Sequence, residues 1–133
     1  MLDVLVIDDS PMVQRAMSAR LEAEGVSLRA ASNGTEGLAA VEKAKPDAVL
    51  LDIRMPGMSG LEVCERLREQ YDSKQLPIIF VSAETCTDIK DRARTVDGNC
   101  YLSKPYEASD LVAAVLGVTG YIKETESKRG RKS

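Results

Sequence analysis

The chain has 133 residues, of which 44% are hydrophobic and 29% charged, a size and balance that suit one globular domain with a single core. Its net charge of −3 is uneven. Lys123, Lys128, Arg129, Arg131 and Lys132 outweigh Glu124 and Glu126 in the last eleven residues, leaving −6 on the rest and arguing against non-specific nucleic-acid binding by the body. The chain contains no histidine, which excludes Ser-His and Cys-His nucleophile pairs and imidazole metal ligands; acid–base or phosphoryl chemistry must run on carboxylates, lysine, hydroxyls and a metal.

In chain order, Leu2–Ile7 reads as a buried strand that stops at the pair Asp8-Asp9. Ser10-Pro11 then opens a helix, a capping hydroxyl followed by proline at the first helical position. Met12, Val13, Met17 and Leu21 keep helical spacing up to Gly25. Val26–Ala30 alternates as a shorter strand nearer a sheet edge. Asn33-Gly34 reads as a chain break, after which Leu38 and Val41 mark a second helix ending near Pro46.

Ala48-Val49-Leu50-Leu51 is an unbroken apolar run, as expected of a strand buried on both faces, and it ends on Asp52. Pro56, Gly57 and Gly60 are turn residues directly after that carboxylate. Ser59 caps a third helix, with Glu62 in the capping-box position and Leu61, Val63, Cys64 and Leu67 apolar. The helix fades into a polar loop over 70–75. Pro77–Val81 is a fourth strand, ending at Ser82. A polar fourth helix starts at Thr85 or Thr87, with Ile89, Ala93 and Val96 as its apolar residues. Cys100–Ser103 is a fifth strand, ending at Lys104-Pro105, and a fifth helix starts near Ala108, faces inward through Leu111, Val112, Val115 and Leu116, and is limited by Gly117 and Gly120.

Strands alternating with helices predict an α/β fold: a single doubly wound (βα)5 domain with a parallel five-stranded sheet of order 2-1-3-4-5, flavodoxin-like. Residues 1–122 are assigned to that domain and 123–133 to a polar basic tail or linker. No apolar run approaches the roughly 20 residues of a membrane span, and no signal-peptide pattern is present. Cys64, Cys86 and Cys100 have no CxxC spacing, so disulfides and zinc are not expected and a reducing cytoplasm is.

Four of the five strands end in a reactive side chain: Asp8 and Asp9, Asp52, Ser82, and Lys104. In the predicted order these strands are neighbours, so the five side chains converge in one cleft. Three packed carboxylates repel one another unless a cation joins them, and an all-oxygen, solvent-open set suits Mg²⁺. A lysine and a hydroxyl opposite the metal suit an incoming phosphoryl group, which a carboxylate can attack to give an acyl phosphate.

The segments Val6–Ser10, Leu51–Gly60, Val81–Ala83 and Tyr101–Pro105, in this order and spacing, resemble the response-regulator receiver domain, the CheY-like family of two-component signalling, over about residues 2 to 120. The resemblance implies Asp52 as phosphoacceptor, served by a histidine kinase or phosphotransfer protein. It implies Mg²⁺ on Asp9, Asp52 and the backbone carbonyl of Arg54, with Asp8 acting through a bound water. Lys104 is implied as the phosphoryl partner, with a cis Lys104-Pro105 bond, Ser82 as the switch hydroxyl and Tyr101 as the aromatic that reports its state. Arg54 and Glu84 are placed over the cleft mouth, where they tune the phosphoryl lifetime. The output face expected is the fourth helix, fifth strand and fifth helix, with Asp88, Lys90, Asp91, Arg94, Glu107 and Asp110, binding a protein partner or a second copy. Such a domain is not an enzyme beyond its own phosphorylation and dephosphorylation, and neither nucleic acid nor membrane is a direct partner. A stand-alone receiver is preferred to the N-terminal receiver of a longer regulator, since Val96–Tyr101 lacks the acidic run common in receivers joined to winged-helix domains. An FMN-binding flavodoxin-like protein and a haloacid-dehalogenase-like phosphatase fit less well: Asp8-Asp9-Ser10-Pro11 is no phosphate loop and no D-x-D motif.

Overall fold

A computed structural model of the chain describes residues 2–83, 91–92, 96, 98–104 and 106–120. Glu84, most of the expected fourth helix with Cys86, Asp88, Ile89, Lys90, Ala93 and Arg94, the Lys104-Pro105 bond and the basic tail lie outside the described residues.

The strands are β1 (Asp3–Ile7), β2 (Ser27–Ala31), β3 (Ala48–Leu51), β4 (Ile78–Ser82) and β5 (Cys100–Ser103), and they form one parallel sheet of order β2-β1-β3-β4-β5. The helices are α1 (Pro11–Glu22), α2 (Gly34–Lys43), α3 (Gly60–Arg68) and a C-terminal helix, Ala108–Thr119. Because side chains alternate along a strand, the two sheet faces build two cores. Leu5, Ile7, Val49, Leu51, Ile78 and Phe80 pack against Val41 of α2 and Leu61, Cys64 and Leu67 of α3. Val4, Val6, Leu50, Ile79 and Val81 pack against Met17 and Leu21 of α1 and Leu111 and Val115 of the C-terminal helix. β1, β3 and β4 are therefore apolar at nearly every position, whereas edge strand β2 buries only Ala31. The register pairs Ile7 with both Ala31 and Leu51, Leu51 with Phe80, and Ser82 with Ser103. The carboxyl ends of all five strands thus lie along one edge.

Caps set where the helices begin. The Val13 amide donates to Ser10 Oγ at 3.3 Å and the Glu62 amide to Ser59 Oγ at 3.3 Å. Asn33 is a helix cap rather than a chain break: its side-chain oxygen accepts from the Glu36 amide at 2.8 Å. Glu107 and Asp110 close a capping box at the start of the C-terminal helix. Gly117 does not limit that helix. It lies inside, and the end comes at Gly120, in the left-handed conformation at φ 68°.

The polar loop after α3 is fastened rather than loose. Arg68 donates through Nη1 to the carbonyl oxygens of Leu76 at 2.7 Å, Asp72 at 3.2 Å and Tyr71 at 3.4 Å, and through Nη2 to Asn99 Oδ1 at 2.9 Å. Asn99 Oδ1 also accepts from the Ile78 amide at 2.9 Å, and its Nδ2 donates to the Ser73 carbonyl at 3.0 Å. One guanidinium and one amide thereby join the end of α3, the loop and the entrances to β4 and β5. Hydrogen bonds from a charged donor are worth about 1.5–3 kcal/mol when the partners are left unsatisfied. Arg68→Ala is expected to cost about 2 kcal/mol in urea unfolding; a loss under about 0.5 kcal/mol, the range of an ordinary surface change, would contradict this role.

Candidate phosphoacceptor site

Each site residue is positioned by the strand it terminates. The Asp52 amide donates to the Ile7 carbonyl at 3.0 Å, the Asp8 amide to the Ala31 carbonyl at 3.1 Å and the Lys104 amide to the Ser82 carbonyl at 2.8 Å. The sheet ladder thus runs one residue past β1, β3 and β5 and aims the three side chains into the same cleft. Asp8, Asp52 and Ser82 are the buried polar residues of the described chain, and Asp9 is exposed. Carboxylate oxygens of Asp8, Asp9 and Asp52 lie within 4.8 Å of one another. Lys104 Nζ is 3.4 Å from Asp8 Oδ2, and Asp8 Oδ1 accepts from the Ser10 amide at 2.9 Å.

Burial, with charge repulsion at this spacing, has a direct consequence. Burial pushes the Asp52 carboxyl up from 3.8 to about 6, and the Asp8 charge adds to the rise. Lys104 opposes it, Asp9 adds to it, and the Ile53 amide, which hydrogen-bonds the carboxylate, opposes it again. Three carboxylates share one ammonium, a deficit that a hard divalent cation with oxygen ligands would fill.

Ser82 and Tyr101 are hydrogen-bonded through their side chains. Burial raises the Tyr101 phenol above its ordinary range, the Ser82 bond opposes that shift and the Asp52 charge adds to it. The Tyr101 ring lies 6.5 Å from the Phe80 ring, tilted by 37°. The expected switch pair is therefore in contact, with Tyr101 close enough to Asp52 to sense its charge.

Two residues of the site have no counterpart in the sequence reading. Gln14 Nε2 donates to the Asp8 carbonyl at 2.7 Å and to the Ala31 carbonyl at 3.3 Å, fixing the exit of β1 from inside α1. Tyr106 packs with the α1-side core, and burial, followed by the Asp8 charge, raises its phenol. Gln14 looks like any polar position of an amphipathic helix. Tyr106 is signalled only by following Lys104-Pro105. Arg54 is exposed, and Glu84 lies outside the described residues.

The response regulator receiver domain, as a sequence family, matches residues 4–116. The uncharacterized transcriptional regulatory protein YkoG of Bacillus subtilis is 37% identical over 112 residues, 84% of this chain and 48% of that protein. The probable transcriptional regulatory protein TcrX of Mycobacterium tuberculosis is 33% identical, over 88% of this chain and 50% of its own length. The chain thus spans about half the length of these two relatives, but 98% of the protein PilH of Pseudomonas aeruginosa, which is 31% identical over 89% of this chain. Among solved structures, the chemotaxis protein CheY4 of Vibrio cholerae superposes with a TM-score of 0.83 at 31% identity, covering 89% of this chain and 98% of its own. The match sets aside the flavodoxin-type and dehalogenase-like readings, and this chain belongs to the response regulator receiver domain family.

Proposed function

We propose that the chain is a phosphorylation switch that takes a phosphoryl group on Asp52 and returns it to water, catalysing no other reaction. The observation that carries this reading is a buried carboxylate at the centre of the sheet, flanked by Asp8, Asp9 and Lys104. The donor is a separate histidine kinase or phosphotransfer protein, because the chain has no histidine of its own. Asp52 Oδ attacks phosphorus in line; the new O–P bond forms as the P–N bond to the donor imidazole breaks, and the imidazole leaves with a proton.

The donor set fits Mg²⁺: Asp9, Asp52 and the Arg54 carbonyl would hold it, with Asp8 acting through a bound water. Bound there, the ion would neutralise charge on the phosphoryl oxygens. Lys104, whose Nζ lies 3.4 Å from Asp8 Oδ2, can turn its ammonium to a phosphoryl oxygen. The Ser82 hydroxyl can do the same by leaving Tyr101. Arg54 at the mouth, with Glu84, would control water access and therefore the lifetime. Intact mass after incubation with acetyl phosphate and Mg²⁺ tests the reading. One added phosphoryl group is expected on the native chain and none on Asp52→Asn; label mapped to Asp8, Asp9 or Ser82 would overturn it.

The output would leave through Tyr101 and the C-terminal helix to a protein partner or a second copy. Asp91, Glu107 and Asp110 are exposed, although the last two are also committed to capping. Beryllofluoride with Mg²⁺ is expected to shift NMR signals of Ser82, Tyr101 and residues 106–112. Shifts confined to residues 8–10 and 52–60 would contradict this face. The output proposed is regulation by protein contact, and a histidine-kinase donor would place the chain in the cytoplasm. No helix among the described residues is long and apolar enough to cross a membrane.

A further inference from the structure

The sheet ladder on β1 ends with the Asp8 amide on the Ala31 carbonyl, and the helical ladder of α1 begins with the Gln14 amide on the Ser10 carbonyl. The Asp8 carbonyl falls between the two. A side chain from inside the helix reaches back to it: Gln14 Nε2 donates at 2.7 Å. The same nitrogen lies 3.3 Å from the Ala31 carbonyl oxygen and 3.4 Å from Ser32 Oγ. Carbonyl oxygens can only accept, so the amide nitrogen of Gln14, not its oxygen, must face them. It has two protons for three acceptors, and the 2.7 Å contact is the well-formed bond. Gln14 is half-buried, which strengthens that bond against competing water.

We infer that Gln14 is a positioning residue for the Asp9 carboxylate and sets how tightly the chain binds Mg²⁺, a role that rests on the acceptor site proposed above. The Asp8 carbonyl and the Asp9 amide belong to one planar peptide unit, so holding the oxygen sets where the Asp9 side chain starts. Asp9 is exposed, and packing does little to orient it. Asp8 is fixed by other means, being buried and accepting at Oδ1 from the Ser10 amide at 2.9 Å. Asp9 is therefore the carboxylate of the pair whose direction depends more on the backbone. Mg²⁺ demands near-ideal octahedral geometry, so a ligand free to wander weakens the site more than the fold. Groups that orient a metal ligand without touching the ion typically change affinity by about 10–100-fold.

NMR titration of the full chain with MgCl₂, without a phosphodonor, reads the affinity from amide shifts at residues 8–10 and 52–54. Gln14→Met, similar in length but without a donor, should bind Mg²⁺ about tenfold more weakly. Gln14→Asn keeps the amide on a shorter stem and should be weakened in the same direction, a second variant should the first not fold. Arg68→Ala loosens the opposite end of the sheet and should leave the affinity unchanged, which separates positioning from a general loss of stability. With acetyl phosphate, Gln14→Met should need about ten times more Mg²⁺ for half-maximal labelling, while its rate at saturating Mg²⁺ stays within about twofold of native. Native affinity in the Gln14 variants, equal weakening by Arg68→Ala, or a loss confined to the saturating rate would each overturn the positioning role alone. Absence of saturable shifts in the native chain, or their survival in Asp9→Ala, would overturn the acceptor site itself and this role with it.

Discussion

Gly60→Val is expected to unfold the chain or to cost at least about 3 kcal/mol, beyond the usual range for a single substitution. A Cβ on Gly60 would run into the Asp52 carbonyl oxygen and lie 2.8 Å from the Asp52 carbonyl carbon and 2.9 Å from Ile53 Cα. These are backbone atoms and cannot swing away as a side chain could. The same backbone is held from both sides: the Asp52 amide donates to Ile7, and the Gly60 amide donates to the Ile53 carbonyl at 2.9 Å. Relief therefore requires moving either Asp52 or the start of α3. Gly60→Ala separates the opposing terms, since alanine favours a helix by up to about 1 kcal/mol over glycine while overpacking costs about 1–3 kcal/mol. The clash should win, with a net loss of about 1–2 kcal/mol in urea unfolding and slower labelling of Asp52 in the molecules that remain folded. An alanine variant as stable and as readily phosphorylated as the native chain would refute the close approach.

The same glycine shows what a sequence can and cannot disclose. Its turn-forming character is legible at once, but its packing against the Asp52 carbonyl appears only in the folded chain. Asp8, Asp9, Asp52, Ser82 and Lys104 were legible because each ends an apolar run, and a parallel sheet brings such ends to one edge. The Arg68–Asn99 fastening was not, because its partners are up to 31 residues apart and no periodicity marks them. Asn33 and Gly117 were misread for opposite reasons. Asparagine serves turns and helix caps by the same side-chain hydrogen bond, and here the cap prevails. Glycine within a helix costs only about 1 kcal/mol, which packing of Leu116 and Val118 against the core outweighs.

Asp52→Asn should stabilise the metal-free protein at pH 8 while abolishing phosphorylation. The Asp52 carboxyl is raised from 3.8 to about 6 in the folded state, chiefly by burial and then by Asp8. A carboxyl raised on folding binds its proton more tightly in the folded than in the unfolded chain. Its contribution to stability is therefore fully present below about pH 3.8 and is lost as pH rises through about 6. A shift of that size corresponds to about 3 kcal/mol, reduced to about 2 kcal/mol where solvent reaches the cleft. Asparagine keeps a carbonyl acceptor for the Ile53 amide and carries no charge, so the difference between variant and native chain should be about 2 kcal/mol at pH 8 and should vanish near pH 4. Mg²⁺ should narrow the gap at pH 8, because it stabilises the native ligand set and has less to bind in the variant. Urea unfolding from pH 4 to 8 in EDTA and in Mg²⁺ measures both effects. A difference that does not vary with pH in EDTA would mean that Asp52 is ionised without penalty, and the electrostatic account of the cleft would have to be abandoned.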